Sequence, residues 1–326
     1  MPRQLAPIAV YVYNRHEHFK KCIRALQSNS LASQSELYVV SDAAKVPEHQ
    51  AAIDEVRSYA SGISGFKKVH LMFRSHNLGA FKSISSAELK IIQEHGRIIS
   101  MEDDIVTSPD FLKFINDGLD FYENDKSVFS IAGYCHPVTV KKQTVESAWF
   151  YYWHLPWGYG TWKDRYLEMD ITKNRWQEIK NDKKLYQRFK KCGQCIIDIA
   201  EADMEARIEA IDVRICIEMF IRGMYTAVPY KSKVKNIGFD GSGMHCGLTQ
   251  RYNVDICLTN SEEEFIFPKA VHVDSEISAD VNEFIIASNY STIRRFLKWL
   301  GIYNVTRKIY RSIKLTAITV SRYKTQ

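Results

Sequence analysis

An α/β fold, with a parallel sheet covered on both faces by helices, is predicted by three features of the amino-acid sequence. Short runs rich in Val, Ile and Tyr alternate with stretches whose apolar residues recur at helical spacing. The alternation is strict from residue 7 to residue 101, as in chains whose parallel strands are joined by helical crossovers. The conspicuous polar residues follow the strand-like runs rather than interrupt them.

Taken in order, PIAVYVY (7–13) reads as a strand, and HEHFKKCIRALQSN (16–29) as a helix with Phe19, Cys22, Ile23 and Leu26 on one face. ELYVVSD (36–42) is a second strand; residues 47–62 form a second helix, opening on Pro and ending at Gly. KVHLMF (68–73), the helix 80–96 and RIISM (97–101) complete the series. Beyond it the pattern is less regular. Strands are expected at 128–133, 147–153 and 224–230, an aromatic turn at WGYGTW (157–162), mostly helix over 163–222 including 211–223, and a glycine-rich loop over 235–247.

Composition bounds the class. The chain has 326 residues, 45% hydrophobic and 25% charged, enough to bury a full core and unlike disordered or collagenous chains. No leader-like or membrane-length apolar segment stands out, so a cytoplasmic protein is expected. Seven scattered cysteines, an odd number, argue against a disulfide framework, and the isolated Cys192-Gly-Gln-Cys195 has no partner pair at zinc spacing. The formal net charge is +6, but residues 291–326 hold nine Lys/Arg and no acid, leaving 35 basic against 38 acidic side chains in 1–290. The basic character belongs to a tail.

Ligands of open α/β sheets bind beyond the carboxyl ends of the strands. Asn14 and Arg15 follow the first strand, Asp42 ends the second, Arg74 to Gly79 follow the third, and Glu102, Asp103 and Asp104 follow the fourth. No glycine-rich phosphate loop of the GxGxxG or GxxxxGK[ST] type occurs at any of them. A bound nucleotide would therefore rely on side chains and a cation for its phosphates. Neighbouring strand residues point to opposite faces, so consecutive carboxylates can serve different partners, and hard oxygen ligands suit Mg²⁺ or Mn²⁺ when a diphosphate completes the shell. Taken alone, the triplet reads more readily as a solvated loop before a helix N-terminus at Ser108-Pro109-Asp110; its place on the strand-end rim reverses that preference.

YNR after the first strand, Asp42 after the second, RSHNLG after the third and MEDD after the fourth resemble a GT-A-fold glycosyltransferase. The EDD variant, between an apolar strand and PDFL, is similar to that of N-acetylglucosaminyltransferase I and of bacterial family 2-like transferases. WGYGTW, the IDVR of 211–214 and NIGFDGSGMH resemble the acceptor-side, catalytic and donor-lid segments of those bacterial enzymes. The resemblance covers roughly residues 7–246. It implies a mixed, mainly parallel Rossmann-like sheet flanked by helices, in a catalytic domain 1–247 with a nucleotide-sugar half 1–127 and an acceptor half 128–247. An extension, 248–290, and a helical, basic amphipathic tail, 291–326, follow.

Site roles follow from the same resemblance. It implies Asp104 as the ligand of Mn²⁺ or Mg²⁺ and His245 as a second ligand or a contact to the diphosphate. Asp103 and Glu102 would meet the donor's sugars, and Asn14, Arg15, Asp42, Arg74 and Asn77 would surround its nucleotide. Asp212 matches the general base of inverting members, although its position also fits a plain helix N-terminus. Trp157, Tyr159 and Trp162 would form an acceptor platform or pack within the fold. Glycines within 238–243 suit a mobile lid. The implied activity is inverting transfer of a hexose or N-acetylhexosamine from a UDP-sugar to a hydroxyl of a saccharide or lipid-linked saccharide, as in surface polysaccharide synthesis. The alternatives are a sugar nucleotidyltransferase, or a non-catalytic membrane- or glycan-binding protein on the same fold. The tail suits either an anionic membrane surface, placing the protein peripherally on the inner face of the cytoplasmic membrane, or packing on the domain. No nucleic-acid-reading pattern is present.

Overall fold

The computed structural model describes residues 4–138, 144–172, 174–242, 248–259 and 264–289. Its elements are β1 (Ile8–Val12), α1 (His16–Gln27), β2 (Glu36–Ser41), α2 (Gln50–Ser61), β3 (Lys68–Phe73), α3 (Ala80–His95), β4 (Arg97–Glu102), β5 (Ile105–Thr107), α4 (Phe111–Phe121), β6 (Val128–Ala132), β7 (Ala148–Tyr151), β8 (Tyr159–Trp162), α5 (Lys163–Tyr166), α6 (Trp176–Asn181), α7 (Lys183–Phe189), α8 (Gln194–Met204), α9 (Ile211–Arg222), β9 (Tyr225–Pro229), β10 (Val234–Asn236) and α10 (Ser275–Asn289).

Eight strands form one sheet in the order β3-β2-β1-β4-β8-β6-β9-β7. β1, β2, β3 and β4 are mutually parallel, β8 runs against β4 and β6, and β7 runs against β9. The sheet is thus mixed and mainly parallel, as the resemblance implied. Every residue of β1 is buried, because helices cover both faces. On one face α1 inserts Phe19, Cys22, Ile23 and Leu26 into the main core beside α4. Each such side chain contributes about 1.5–3 kcal/mol of burial. On the other face α3 packs Ala87, Ile91 and Ile92 against Ala9, Tyr11 and Ile98.

WGYGTW departs from the expected turn: residues 159–162 form β8 in the middle of the sheet. Gly160 permits it, since a side chain there would meet Ile115 of α4 at 2.5 Å. The described part of the 248–290 extension packs on the body. Val254 and Phe267 join the main core, while Ile277 and Val281 of α10 lie with Trp149, Tyr151 and Cys195. The six described cysteines are free thiols. No helix among the described residues is long and apolar enough to cross a membrane. The tail 291–326 lies outside the described residues, and with it the expected helix and membrane contact.

Candidate active site

Strand register brings the polar loops to one rim. Val12 is level with Ser41, Ser41 with Phe73, and Tyr11 with Glu102. The residues that follow these positions therefore emerge together at the carboxyl ends of four parallel strands.

Asp42 is buried and its carboxylate is saturated. Oδ1 accepts from the amides of Ala43 (2.9 Å) and Leu78 (3.0 Å), and Oδ2 from the amide of Gly79 (2.9 Å) and Asn77 Nδ2 (3.2 Å). Asn77 also donates to the Ala43 carbonyl at 2.7 Å. These two residues, expected to surround the nucleotide, clamp the loop after β3 to the loop after β2; Gly79, with φ +78°, completes the turn. Arg74 is likewise a brace, donating to the Ser83 carbonyl and Ser86 Oγ of α3. Arg57 of α2, which sequence patterns did not single out, donates to the carbonyls of Ser41, Asp42 and Arg74 and lies over the Phe73 ring. Asn14 is half-buried, with no side-chain hydrogen bond among the described residues.

The acidic triplet divides between two environments. Asp103 and Asp104 are both 3% exposed. Arg15 pairs with both: its guanidinium grips Asp103 through Nε and a terminal nitrogen and meets Asp104 Oδ2 at 2.9 Å. Burial alone would lower the Arg15 pKa, but the two carboxylates hold it above its ordinary value. Burial raises Asp103 to about 6, with Arg15 opposing and Asp104 adding to the rise.

Asp104 is positioned by a pairing that sequence periodicity did not reveal. β5 and β10 form an antiparallel pair with Asn236 opposite Ile105, and the Ile237 amide donates to the Asp104 carbonyl at 2.9 Å. This seats Gly238 so tightly that a Cβ there would lie 2.1 Å from Asp104 Oδ2. Past Gly238, Asp240 Oδ2 meets His18 Nε2 of α1 at 3.1 Å. Hydrogen bonds from Ser242 lower the Asp240 pKa to about 2. Asp104 Oδ1 is buried without a hydrogen-bond partner among the described residues. A buried carboxylate oxygen left over in this way fits a cation that takes few protein ligands and completes its shell from a diphosphate. No cluster of three metal-ligating side chains forms among the described residues. His245 lies outside them.

Glu102 faces the α3 side of the sheet, two residues along β4 from Ser100. Burial raises its pKa to about 8, with the charges of Asp104, Asp103 and Asp212 adding. Asp212, in the first turn of α9, reaches solvent, while desolvation by the surrounding protein raises its pKa to about 6, and Glu88 adds to the rise. The structure thus brings Asp212, more than a hundred residues along the chain, into the field of Glu102. Asp203 fixes the start of α9, accepting from Arg214 (2.8 and 2.9 Å) and from the Ala210 amide (2.9 Å). Glu88 of α3 is buried and accepts from Ser100 Oγ (2.6 Å), Tyr166 OH (2.9 Å) and Tyr159 OH (3.0 Å). Sequence patterns did not mark it, because a lone Glu in an amphipathic helix reads as surface.

Only one of the three expected acceptor aromatics stands at the rim. Trp157 is half-buried, 4.5 Å from the Tyr134 ring, 5.4 Å from Phe239 and 6.0 Å from Tyr252. Tyr159 is buried on Glu88. Trp162 is buried opposite Arg97, at the far end of β4, with Nε1 donating to the Leu119 carbonyl. These last two are core residues because β8 carries them inside the sheet. Phe239 and Tyr252, stacked at 5.0 Å, join Trp157 instead.

No protein-family model matches the chain, and no curated protein matches it in sequence. Among solved structures it is similar to the mannosyltransferase PcManGT from Pyrobaculum calidifontis in complex with GDP-Man and Mn²⁺, with 14% identity, 50% of this chain and 48% of that one covered, and a TM-score of 0.34. It is similar to S. aureus TarS 1-349 in complex with UDP-GlcNAc, with 12% identity, coverage of 71% and 57%, and a TM-score of 0.39. It is also similar to GalNAc-T7 with UDP, GalNAc and Mn²⁺, with 8% identity, coverage of 70% and 43%, and a TM-score of 0.43. The chain spans about half the length of these chains. Likenesses this partial carry no argument about activity.

Proposed function

We propose that the chain is an inverting, cation-dependent glycosyltransferase that takes a sugar from a nucleoside diphosphate donor, UDP-linked, and moves it to a hydroxyl of a saccharide or lipid-linked saccharide. What carries the reading is the arrangement around the triplet: a buried Asp104 oxygen, unpartnered among the described residues, beside Arg15 on one side, and a solvent-open Asp212 within the field of Glu102 on the other.

In this reading the donor's nucleotide lies against the loops that Asp42, Asn77 and Arg57 brace, with Asn14 free to reach it. Asp104 would hold the cation, which when bound neutralises the charge of the departing diphosphate. Arg15 stands where it can share that charge. Glu102 and Asp103 flank the transferred sugar. Asp212 accepts the proton of the acceptor hydroxyl as that oxygen bonds to the anomeric carbon and the bond to phosphate breaks, leaving nucleoside diphosphate. A carboxylate with a pKa of about 6 is mostly ionised at pH 7 and basic enough to serve. Trp157, Phe239 and Tyr252 offer an aromatic wall to the acceptor ring. The tail 291–326 would bring the chain to an anionic membrane surface carrying a lipid-linked acceptor.

Screening UDP-, GDP- and dTDP-sugars with Mn²⁺ tests the donor class. Asp104→Ala is expected to abolish cation-dependent donor binding. Asp212→Asn is expected to keep binding and to lose transfer by about 10²–10⁴-fold, and undiminished transfer would remove its role as base. Retained anomeric configuration in the product, read by NMR, refutes inversion, and release of pyrophosphate in place of nucleoside diphosphate would mark a nucleotidyltransferase.

A further inference from the structure

We propose that Arg15 makes cation binding at Asp104 depend on the diphosphate, an inference that rests on the donor-site reading above. The guanidinium lies against Asp103 and at 2.9 Å from Asp104 Oδ2, so two buried carboxylates are held together by a single positive charge. Gly238 packs on the same Oδ2, and the position of a Cβ there would lie 3.1 Å from an Arg15 nitrogen. Arg15 and the Gly238 backbone therefore crowd one oxygen of Asp104 and leave the other, Oδ1, buried and unpartnered among the described residues.

Two consequences follow. The cation is offered one oxygen rather than a bidentate carboxylate or a pair of aspartates. It also meets a fixed positive charge within the same largely buried volume, where charges are less screened than in water. The protein alone is then a poor cation site by construction. A diphosphate changes the balance, because its oxygens supply the missing ligands and its negative charge offsets that of Arg15. Arg15 acts here as a positioning residue: it orients Asp104 and sets the coupling between two ligands, and such a coupling is reciprocal.

The test is Mn²⁺ titration of the full chain, followed by electron paramagnetic resonance, with and without saturating UDP, and repeated with GDP. Arg15→Gln is expected to bind Mn²⁺ about tenfold more tightly in the absence of nucleotide, the scale of one charge-assisted contact. The enhancement of Mn²⁺ affinity by the diphosphate should shrink by at least the same factor. Arg15→Lys, which keeps the charge but lacks the fork that spans both carboxylates, should fall between the two. If Arg15→Gln fails to fold, the lysine variant decides alone: nucleotide-free affinity equal to or below that of the parent overturns the proposal. Unchanged or weakened nucleotide-free affinity in Arg15→Gln overturns it likewise. Failure of the donor reading looks different, because no variant would then bind Mn²⁺ with either diphosphate present.

Discussion

Replacing Gly238 by alanine perturbs the acidic site from a backbone position 134 residues away. The added methyl would lie 2.1 Å from Asp104 Oδ2, 2.9 Å from its Cγ and 3.1 Å from an Arg15 nitrogen. Carbon and oxygen approach no closer than about 3.2 Å, so Asp104 or the 237–240 backbone must yield by about 1 Å. Neither yields freely: Asp104 is buried and paired to Arg15, and the loop is tied by the Ile237 amide on the Asp104 carbonyl and the Gly238 amide on Asn236 Oδ1. A retreat of that size would stretch the 2.9 Å contact with Arg15 beyond hydrogen-bond range. Overpacking costs about 1–3 kcal/mol, and the lost charged contact a further ~1.5–3 kcal/mol. The stability loss expected by urea denaturation is about 2.5–6 kcal/mol. Mn²⁺ affinity with UDP present should fall at least about tenfold, since Asp104 no longer presents Oδ1 in place. Gly62→Ala, where the nearest atom to a Cβ is an ordinary 3.7 Å away, is the control. Parental stability and Mn²⁺ affinity in Gly238→Ala would refute the argument that this loop is seated on Asp104.

Two further outcomes are expected. Asp42→Ala strands the amides of Leu78 and Gly79 and the Asn77 side chain, and should cost about 2–4 kcal/mol by denaturant melts and weaken UDP binding by calorimetry without changing a proton-transfer step. Glu102→Gln should alter the pH dependence of stability. Because the folded-state pKa of Glu102 is raised from 4.5 to about 8, its contribution is fully present below pH 4.5 and is lost as pH rises through about 8. In cation-free buffer the glutamine variant should nearly match the parent near pH 5 and be more stable near pH 9, by on the order of 4 kcal/mol; equal melting temperatures at both pH values would remove burial as the cause.

The first half of the fold was legible because local rules suffice there. β1, β2 and β4 are buried runs, α1 and α3 carry apolar faces of helical period, and both their lengths and their order follow from the pattern. The rim followed from parallel order, because alternating crossovers place every loop after a strand at the same end. β8 is not legible in the sequence, since a short segment with glycines at 158 and 160 reads as a turn until β4 and β6 are known to bracket it. β5 and β10, three residues each, carry no periodic signal at all.

The sequence by itself determined the α/β class, the carboxyl-end rim and the identity of its acids, because these depend on residue order and on side-chain periodicity. Only the tertiary structure decided what each residue does there. It turned Asp42 and Asn77 into a clamp, buried Tyr159 and Trp162, drew Arg57, Glu88 and Phe239 into the site, and set Asp212 within the field of Glu102. Those roles depend on burial and on partners tens to more than a hundred residues distant. Distances of that kind are set by how strands and helices pack, and no local pattern encodes them.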